Sequence, residues 1–219
     1  MLKECNNNNA KQKLIKKIIE LKQSEIENLV KERIQEFKSF ILKSNEDWFS
    51  ELCFCILTAN SSAELGVKIQ KEIGANGFLT LPLKELTLKL KMLGHRFYAK
   101  RAEFIVKARN YKNIKDIVLS FSNVKNCREW LVKNIKGLGF KEASHFLRNV
   151  GYFNLAIIDR HILRILSKYG FISNNSKSLT KKVYFEIESI LEMLAKKVDL
   201  TLAELDLYLW FMETGKILK

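Results

Sequence analysis

The segment that most restricts how this chain can fold is 134–168, NIKGLGFKEASHFLRNVGYFNLAIIDRHILRILSK. It reads as a helix end, a Gly137-Leu138-Gly139 hairpin and a second helix opening near Phe140. An apolar run from Leu155 to Ile158 follows and stops at Asp159. Glycines on either side of an aliphatic residue allow a sharp backbone turn with exposed amides. Amides at the start of the following helix carry positive partial charge, so the turn can hold a phosphate. Lys141 lies in the first turn of that helix. Asp159 is placed to begin the next one, its carboxylate either capping that helix or pointing at whatever lies in front of it. One helix and a return loop separate the lysine from the aspartate.

The remainder of the chain repeats the helical theme. Apolar residues recur at helical spacing over 10–21 (Leu14, Ile18, Ile19, Leu21). Over 25–44 they form one face (Ile26, Leu29, Val30, Ile34, Phe37, Ile41), with Ser24 as the N-cap. Residues 45–60 make a strongly apolar helix, with 48–57 as the buried spine of the first half. Further helices are expected at 62–73, ending at Gly74, and at 83–93, opened by Pro82. Others fall at 99–111, 114–121 and 124–135, then at 160–169, 179–198 and 202–214. Residues 1–9 are polar and asparagine-rich and are expected to fray. Residues 94–98 read as a short exposed turn. Leu155 to Ile158 is the one β-like run, and it joins two helices. The fold class is all-α.

The net charge of +14, from 38 Lys and Arg against 24 Asp and Glu, is spread along the chain. Such a surface suits a polyanion, and counterion release makes that binding salt-sensitive. Charge alone does not decide for nucleic acid, because lysine excess also accompanies AT-rich genomes and heat adaptation. A chain of 219 residues permits one large domain or two small ones around a real core. No apolar run approaches the roughly 20 residues that span a bilayer, and no signal peptide opens the sequence. An intracellular protein is expected. The four cysteines, Cys5, Cys53, Cys55 and Cys127, show neither a disulfide framework nor metal-ligand spacing. His95, His145 and His161 are scattered, which suits structural or DNA-proximal roles better than a metal site.

Gly137-Leu138-Gly139-Phe140-Lys141-Glu142-Ala143 and Ile158-Asp159-Arg160-His161 resemble the two boxes of the helix-hairpin-helix, Gly/Pro-Asp superfamily of DNA glycosylases. Three more segments are similar to its second class of 8-oxoguanine DNA glycosylases, found in archaea and some bacteria. They are Ile56-Leu57-Thr58-Ala59-Asn60, Leu93-Gly94-His95-Arg96-Phe97-Tyr98, and the stretch from Leu209-Trp210-Phe211 to Gly215-Lys216-Ile217-Leu218-Lys219. The resemblance implies two helical domains flanking a DNA-binding cleft. Residues 48–151 would hold the hairpin (134–150), and the helices of 1–47 would pack with the C-terminal part, 152–219, which carries the catalytic aspartate. It also implies a monomer acting on double-stranded DNA that contains 8-oxoguanine, in the cytoplasm of a prokaryote and associated with its nucleoid. Some superfamily members carry a four-cysteine iron–sulfur cluster after the catalytic region. No cysteine follows Cys127, so no cluster is expected, although the hairpin can take a monovalent cation.

The resemblance gives Lys141 and Asp159 the catalytic roles. A lysine with lowered pKa attacks C1′ of a deoxynucleotide, expels the base and leaves a Schiff base. The imine acidifies the C2′ proton, and elimination of the 3′ phosphate breaks the strand. A carboxylate facing the sugar stabilises the oxocarbenium-like charge. Base flipping leaves a gap to fill; Arg96 and Phe97 match residues that invade the helix there, and Asn60 matches a position near the gap. Trp210 is implied near the base. Lys219, with its terminal carboxylate, is implied at the guanine edge, where the end of the chain suits it. Gly137, Gly139, Arg160 and His161 would touch the DNA backbone.

Each residue also has a plainer reading. Lys141 would be a surface lysine, Asp159 an N-cap only, and Phe97 and Tyr98 core residues of the next helix. Asn60 would be a helix C-cap, Trp210 would pack on Leu205, Leu207 and Leu209, and Lys219 would be a loose end. Two other functions stay open: a cluster-free endonuclease III-like glycosylase/lyase for oxidised pyrimidines, and a non-catalytic DNA-binding module.

Overall fold

A computed structural model of the chain describes residues 2–173 and 179–219, with side chains from residue 8 onward. The helices are α1 (Leu2–Lys22), α2 (Ile26–Ser39), α3 (Asn45–Thr58), α4 (Ala63–Thr80), α5 (Leu83–Met92) and α6 (Tyr98–Ala108). They continue with α7 (Ile114–Leu119), α8 (Val124–Asn134), α9 (Phe140–Asn149), α10 (Arg160–Lys168), α11 (Lys181–Lys197) and α12 (Leu202–Thr214). No strand occurs among the described residues. The chain divides into two units. One takes residues up to Glu36 together with Tyr152–Leu218; the other takes Phe37–Gly151 together with Lys219.

In the second unit α3 is the central element. Ser44 opens it with a capping box, Ser44 Oγ accepting from the Asp47 amide (3.1 Å) and Asp47 Oδ2 from the Ser44 amide (3.1 Å). Every residue from Trp48 to Thr58 is buried, and α4, α6, α7 and α9 pack around it. A helix apolar on all sides belongs inside a protein. Residues 37–47 join this unit rather than the N-terminal helices. Trp48 Nε1 donates to the Phe40 carbonyl (2.9 Å), and the Arg148 guanidinium lies 4.8 Å from the Phe37 ring centre. The break expected at Gly74 is present as a kink (φ 68°, ψ 168°), but the helix resumes and runs to Thr80, anchored by the buried Phe78.

The 94–98 turn is not simply exposed. His95 is only 2% exposed. Its Nε2–H donates to the Leu57 carbonyl (2.9 Å), and Nδ1 accepts from the Phe97 amide (3.1 Å). Burial is the main cause that lowers its pKa. His145 is also enclosed, edge-on to Phe54 with ring centres 5.6 Å apart. Burial first, then the charges of Arg148, Lys141 and Lys219, hold its pKa well below the ordinary histidine range.

In the first unit α12 is central, packed against α1, α10 and α11. A second capping box, Thr201 with Glu204, starts it. Leu14 and Ile18 of α1 are buried, as are Leu205, Leu207 and Leu209 of α12. Helix α1 begins at Leu2, so the asparagine-rich segment continues a helix instead of fraying; extension of a formed helix needs no new nucleus. The Cys5 side chain lies outside the described residues.

The run Leu155 to Ile158 is buried but forms no regular element and pairs with no strand among the described residues. At Ala156 its backbone is met by α11 side chains: the Ala156 amide donates to Glu188 Oε2 (3.0 Å) and Tyr184 Oη donates to the Ala156 carbonyl (2.7 Å). Buried backbone groups must find partners somewhere, and here two side chains replace a neighbouring strand. That arrangement aims the chain into Asp159.

Two outcomes are expected. Tyr184→Phe leaves the Ala156 carbonyl unpaired and lowers stability by about 1–3 kcal/mol in denaturant titration. The buried histidines make stability fall with acid. Their folded pKa values lie below the unfolded value of about 6.5, so the unfolded chain binds more protons once the pH drops through that value. The melting temperature should decline between about pH 7 and pH 5, and decline less in His145→Leu.

Candidate active site

The hairpin begins where α8 ends, the Ile135 amide donating to the Leu131 carbonyl (2.9 Å). Gly137 has φ 92°, and a Cβ there would stand 2.5 Å from Phe104 Cδ2, so turn and packing both demand glycine. Leu138 is buried. Gly139 differs from the expectation of two freely turning glycines. It is extended (φ −97°, ψ −173°), and its amide donates to Glu142 Oε2 (3.1 Å). Glu142 thus occupies one of the amides that a phosphate would use. Lys141 stands in the first turn of α9 with its side chain 21% exposed and its Nζ 3.9 Å from Glu142 Oε1. Its ammonium makes no hydrogen bond among the described residues. It is a largely covered amine without a close counter-ion.

Three other predicted residues gather at the carboxyl end of α3. Asn60 is exposed with φ 58°, one residue past the Ala59 cap, in the left-handed conformation that asparagine tolerates. Arg101 Nη2 donates to the Ala59 carbonyl (2.6 Å), and its guanidinium lies 5.8 Å from the ring centres of both Phe97 and Phe104. Burial lowers the Arg101 pKa, while the Glu142 carboxylate pulls it up. Phe97 is 36% exposed, so it stands outside the core, and the Arg96 guanidinium lies over its ring at 4.4 Å. Arg101 and the His95 hydrogen bonds tie Asn60, Arg96 and Phe97 to one rim. Phe104 links that rim to Gly137.

Lys219 is well anchored. Its Nζ donates to Glu51 Oε2 (2.7 Å) and Gln70 Oε1 (2.5 Å) and lies 4.4 Å from the Phe54 ring centre. Glu51 also accepts from Gln70 Nε2 (3.1 Å) and from Asn149 Nδ2 (2.6 Å), and Asn149 Oδ1 accepts from Arg148 Nε (3.0 Å). Sequence reasoning missed Glu51, Gln70 and Asn149. The available signal was a carboxylate in the middle of an apolar helix, which can be buried there only with partners. Cys55 marks the same neighbourhood. Burial and then Glu51 push its thiol well up, while Lys141, Lys219 and Arg148 pull it down. It remains a protonated core residue.

The first unit holds the remaining predicted residues. Asp159 is the N-cap of α10: Oδ1 accepts from the amides of His161 (2.8 Å) and Ile162 (2.9 Å). Oδ2 makes no hydrogen bond among the described residues, so capping uses half of the carboxylate. Arg160 is exposed, and its Nε donates to His161 Nε2 (3.4 Å). The His161 ring meets Trp210 edge-on with centres 4.8 Å apart, and its Nδ1 is 3.8 Å from Glu213 Oε1. Trp210 sits at the margin of the leucine core, with its buried indole N–H lacking a hydrogen-bond partner among the described residues.

Among the described residues no group of three His, Cys, Asp or Glu could hold a metal ion. No helix among them is long and apolar enough to cross a membrane.

A family model described as 8-oxoguanine DNA glycosylase (Ogg-HhH) matches residues 30–200. The 8-oxoguanine DNA glycosylase/AP lyase of Methanocaldococcus jannaschii is 65% identical over 206 residues, covering 94% of this chain and 99% of its own length. The crystal structure of the M. jannaschii enzyme in complex with 15mer DNA containing 8-oxoguanine superposes with a TM-score of 0.92. There the identity is 64%, over 94% of this chain and 99% of that one. The structure of the Thermotoga maritima 8-oxoguanine DNA glycosylase gives a TM-score of 0.90 at 44% identity, over 95% of this chain and 100% of that one. With the hairpin, the lysine after it and the aspartate at the next helix start in place, the chain belongs to the Ogg-HhH family of 8-oxoguanine DNA glycosylases.

Proposed function

We propose that this protein excises 8-oxoguanine from duplex DNA and cleaves the resulting abasic site by β-elimination, with Lys141 as nucleophile and Asp159 as its carboxylate partner. The observation that carries the assignment is the state of Lys141. It follows directly on the hairpin, is four-fifths covered, and has no carboxylate nearer than the 3.9 Å contact with Glu142. A lysine amine not committed to a hydrogen bond within the protein is free to act as a nucleophile toward a sugar carbon. Attack at C1′ displaces the base and forms a carbon–nitrogen bond, which becomes the protonated imine as the sugar ring opens. Loss of the C2′ proton then expels the 3′ phosphate and breaks the strand.

Asp159 supports this chemistry with Oδ2, the oxygen that the cap leaves unused. A fixed carboxylate stabilises positive charge developing on the sugar. Arg96 and Phe97 fill the gap left by the flipped nucleotide, with Asn60 beside them; an exposed ring under a guanidinium is suited to stacking. Trp210 and Lys219 contact the base, while Gly137, Gly139, Arg160 and His161 contact the backbone. A monovalent cation at the hairpin would be held by its carbonyls, but the Leu138 amide already engages that of Ile135 (3.3 Å). No step is routed through such an ion. The protein acts as a monomer in the cytoplasm, on nucleoid DNA.

The test is borohydride trapping on a duplex with one 8-oxoguanine, with a thymine-glycol duplex alongside. A covalent adduct is expected on the first alone and absent in Lys141→Gln. An adduct only on thymine glycol would move the substrate to oxidised pyrimidines, and none on either duplex would remove the nucleophile. Asp159→Asn keeps an oxygen for the cap, so stability should change by less than about 1 kcal/mol. Single-turnover excision should nevertheless fall on the order of 10²–10³-fold through loss of the charge.

A further inference from the structure

We propose that Glu51, held by Gln70 and Asn149, is the positioning residue for Lys219, and that the Lys219 ammonium is an anchor rather than a reader of the base. The inference rests on the reading that Lys219 contacts the damaged base.

Glu51 is 1% exposed, in the middle of a helix buried on all sides. An apolar residue would meet every packing need at that place, whereas a buried carboxylate requires donors and a cation. It receives them from three parts of the chain: Gln70 of α4, Asn149 at the end of α9, and Lys219. Asn149 is oriented in turn by Arg148. The carboxylate is therefore fixed before Lys219 arrives, and its position sets that of the ammonium.

The ammonium is correspondingly occupied. It has three N–H bonds; Glu51 and Gln70 accept from it at 2.7 Å and 2.5 Å, and the face of Phe54 lies 4.4 Å away. Little remains with which to bond a base. Its side chain is 22% exposed, and its backbone lies beside His145, whose protonated form it favours. Because burial keeps that imidazole neutral, Lys219 is held at one end by a charge and at the other by an uncharged wall. What Lys219 can offer a base is its main chain, at a place fixed by the Glu51 pair.

The experiment compares Glu51→Gln, Lys219→Met and the double variant in two assays. One is single-turnover excision of 8-oxoguanine; the other is borohydride trapping on a duplex carrying a ready-made abasic site, where there is no base to read. Glu51→Gln should slow excision by about 10–100-fold, the scale of a misplaced contact. Abasic trapping should stay within about two-fold of wild type, and the double variant should be no slower than the worse single one. Wild-type excision by Glu51→Gln, an equal loss in both assays, or multiplied losses in the double variant would overturn the proposal. If Glu51→Gln fails to fold, Gln70→Ala removes the same support from the partly exposed α4 side, and it must show the same split between assays for the proposal to stand. A wild-type protein inactive on 8-oxoguanine would sink the functional reading itself; an active one with an unaffected Glu51→Gln sinks this inference alone.

Discussion

A helix with no solvent-facing side can carry a polar group only if another part of the chain supplies its partner. Helix α3 lives under that constraint, and the second unit is arranged to meet it. The Leu57 and Ala59 carbonyls at its end take His95 and Arg101. Trp48 finds the Phe40 carbonyl, and Glu51 finds Gln70, Asn149 and Lys219. Most of these partners stand beside a residue proposed to meet DNA: His95 and Arg101 hold the Arg96–Phe97 turn, and Glu51 holds Lys219. The polar demands of the buried helix are what fix the proposed DNA-facing residues of this unit.

Two cations in this strongly basic chain, Arg96 and Arg101, are oriented by aromatic rings. Arg96 lies over Phe97, and Arg101 beside Phe97 and Phe104. An aromatic face attracts a cation through its quadrupole while leaving the net charge in place. The field that suits a polyanion is thereby kept, and the exposed Arg96 guanidinium stays stacked on Phe97. Neutralising carboxylates at the same places would order the side chains and lose the field.

What could be read from the sequence was local chemistry. A glycine turn, a lysine in the next helical turn and an aspartate before an apolar helix each declare themselves within a few residues, because a positive φ and an N-cap are local requirements. The all-helical class followed from apolar spacing in the same way. What could not be read depends on distant partners. Glu51 meets Lys219 across 168 positions, and nothing near either residue names the other. His95 sits in a glycine-bounded polar turn and is nevertheless internal, because a carbonyl of α3 needed a donor. Gly139, one of a matched pair in the sequence, differs from Gly137 in the structure because Glu142 captures its amide.

The apolar run before Asp159 has a further consequence. Leu155-Ala156-Ile157-Ile158 is uncharged and rich in β-branched residues, the composition from which intermolecular sheets begin. A strand at a sheet edge would present its free amides and carbonyls to any other chain. In this protein the run is closed off at its second residue: Glu188 and Tyr184 have taken both backbone polar groups of Ala156, and the side chains of the run are buried. The two residues that steer the chain toward its aspartate also keep its most adhesive segment out of reach of other molecules.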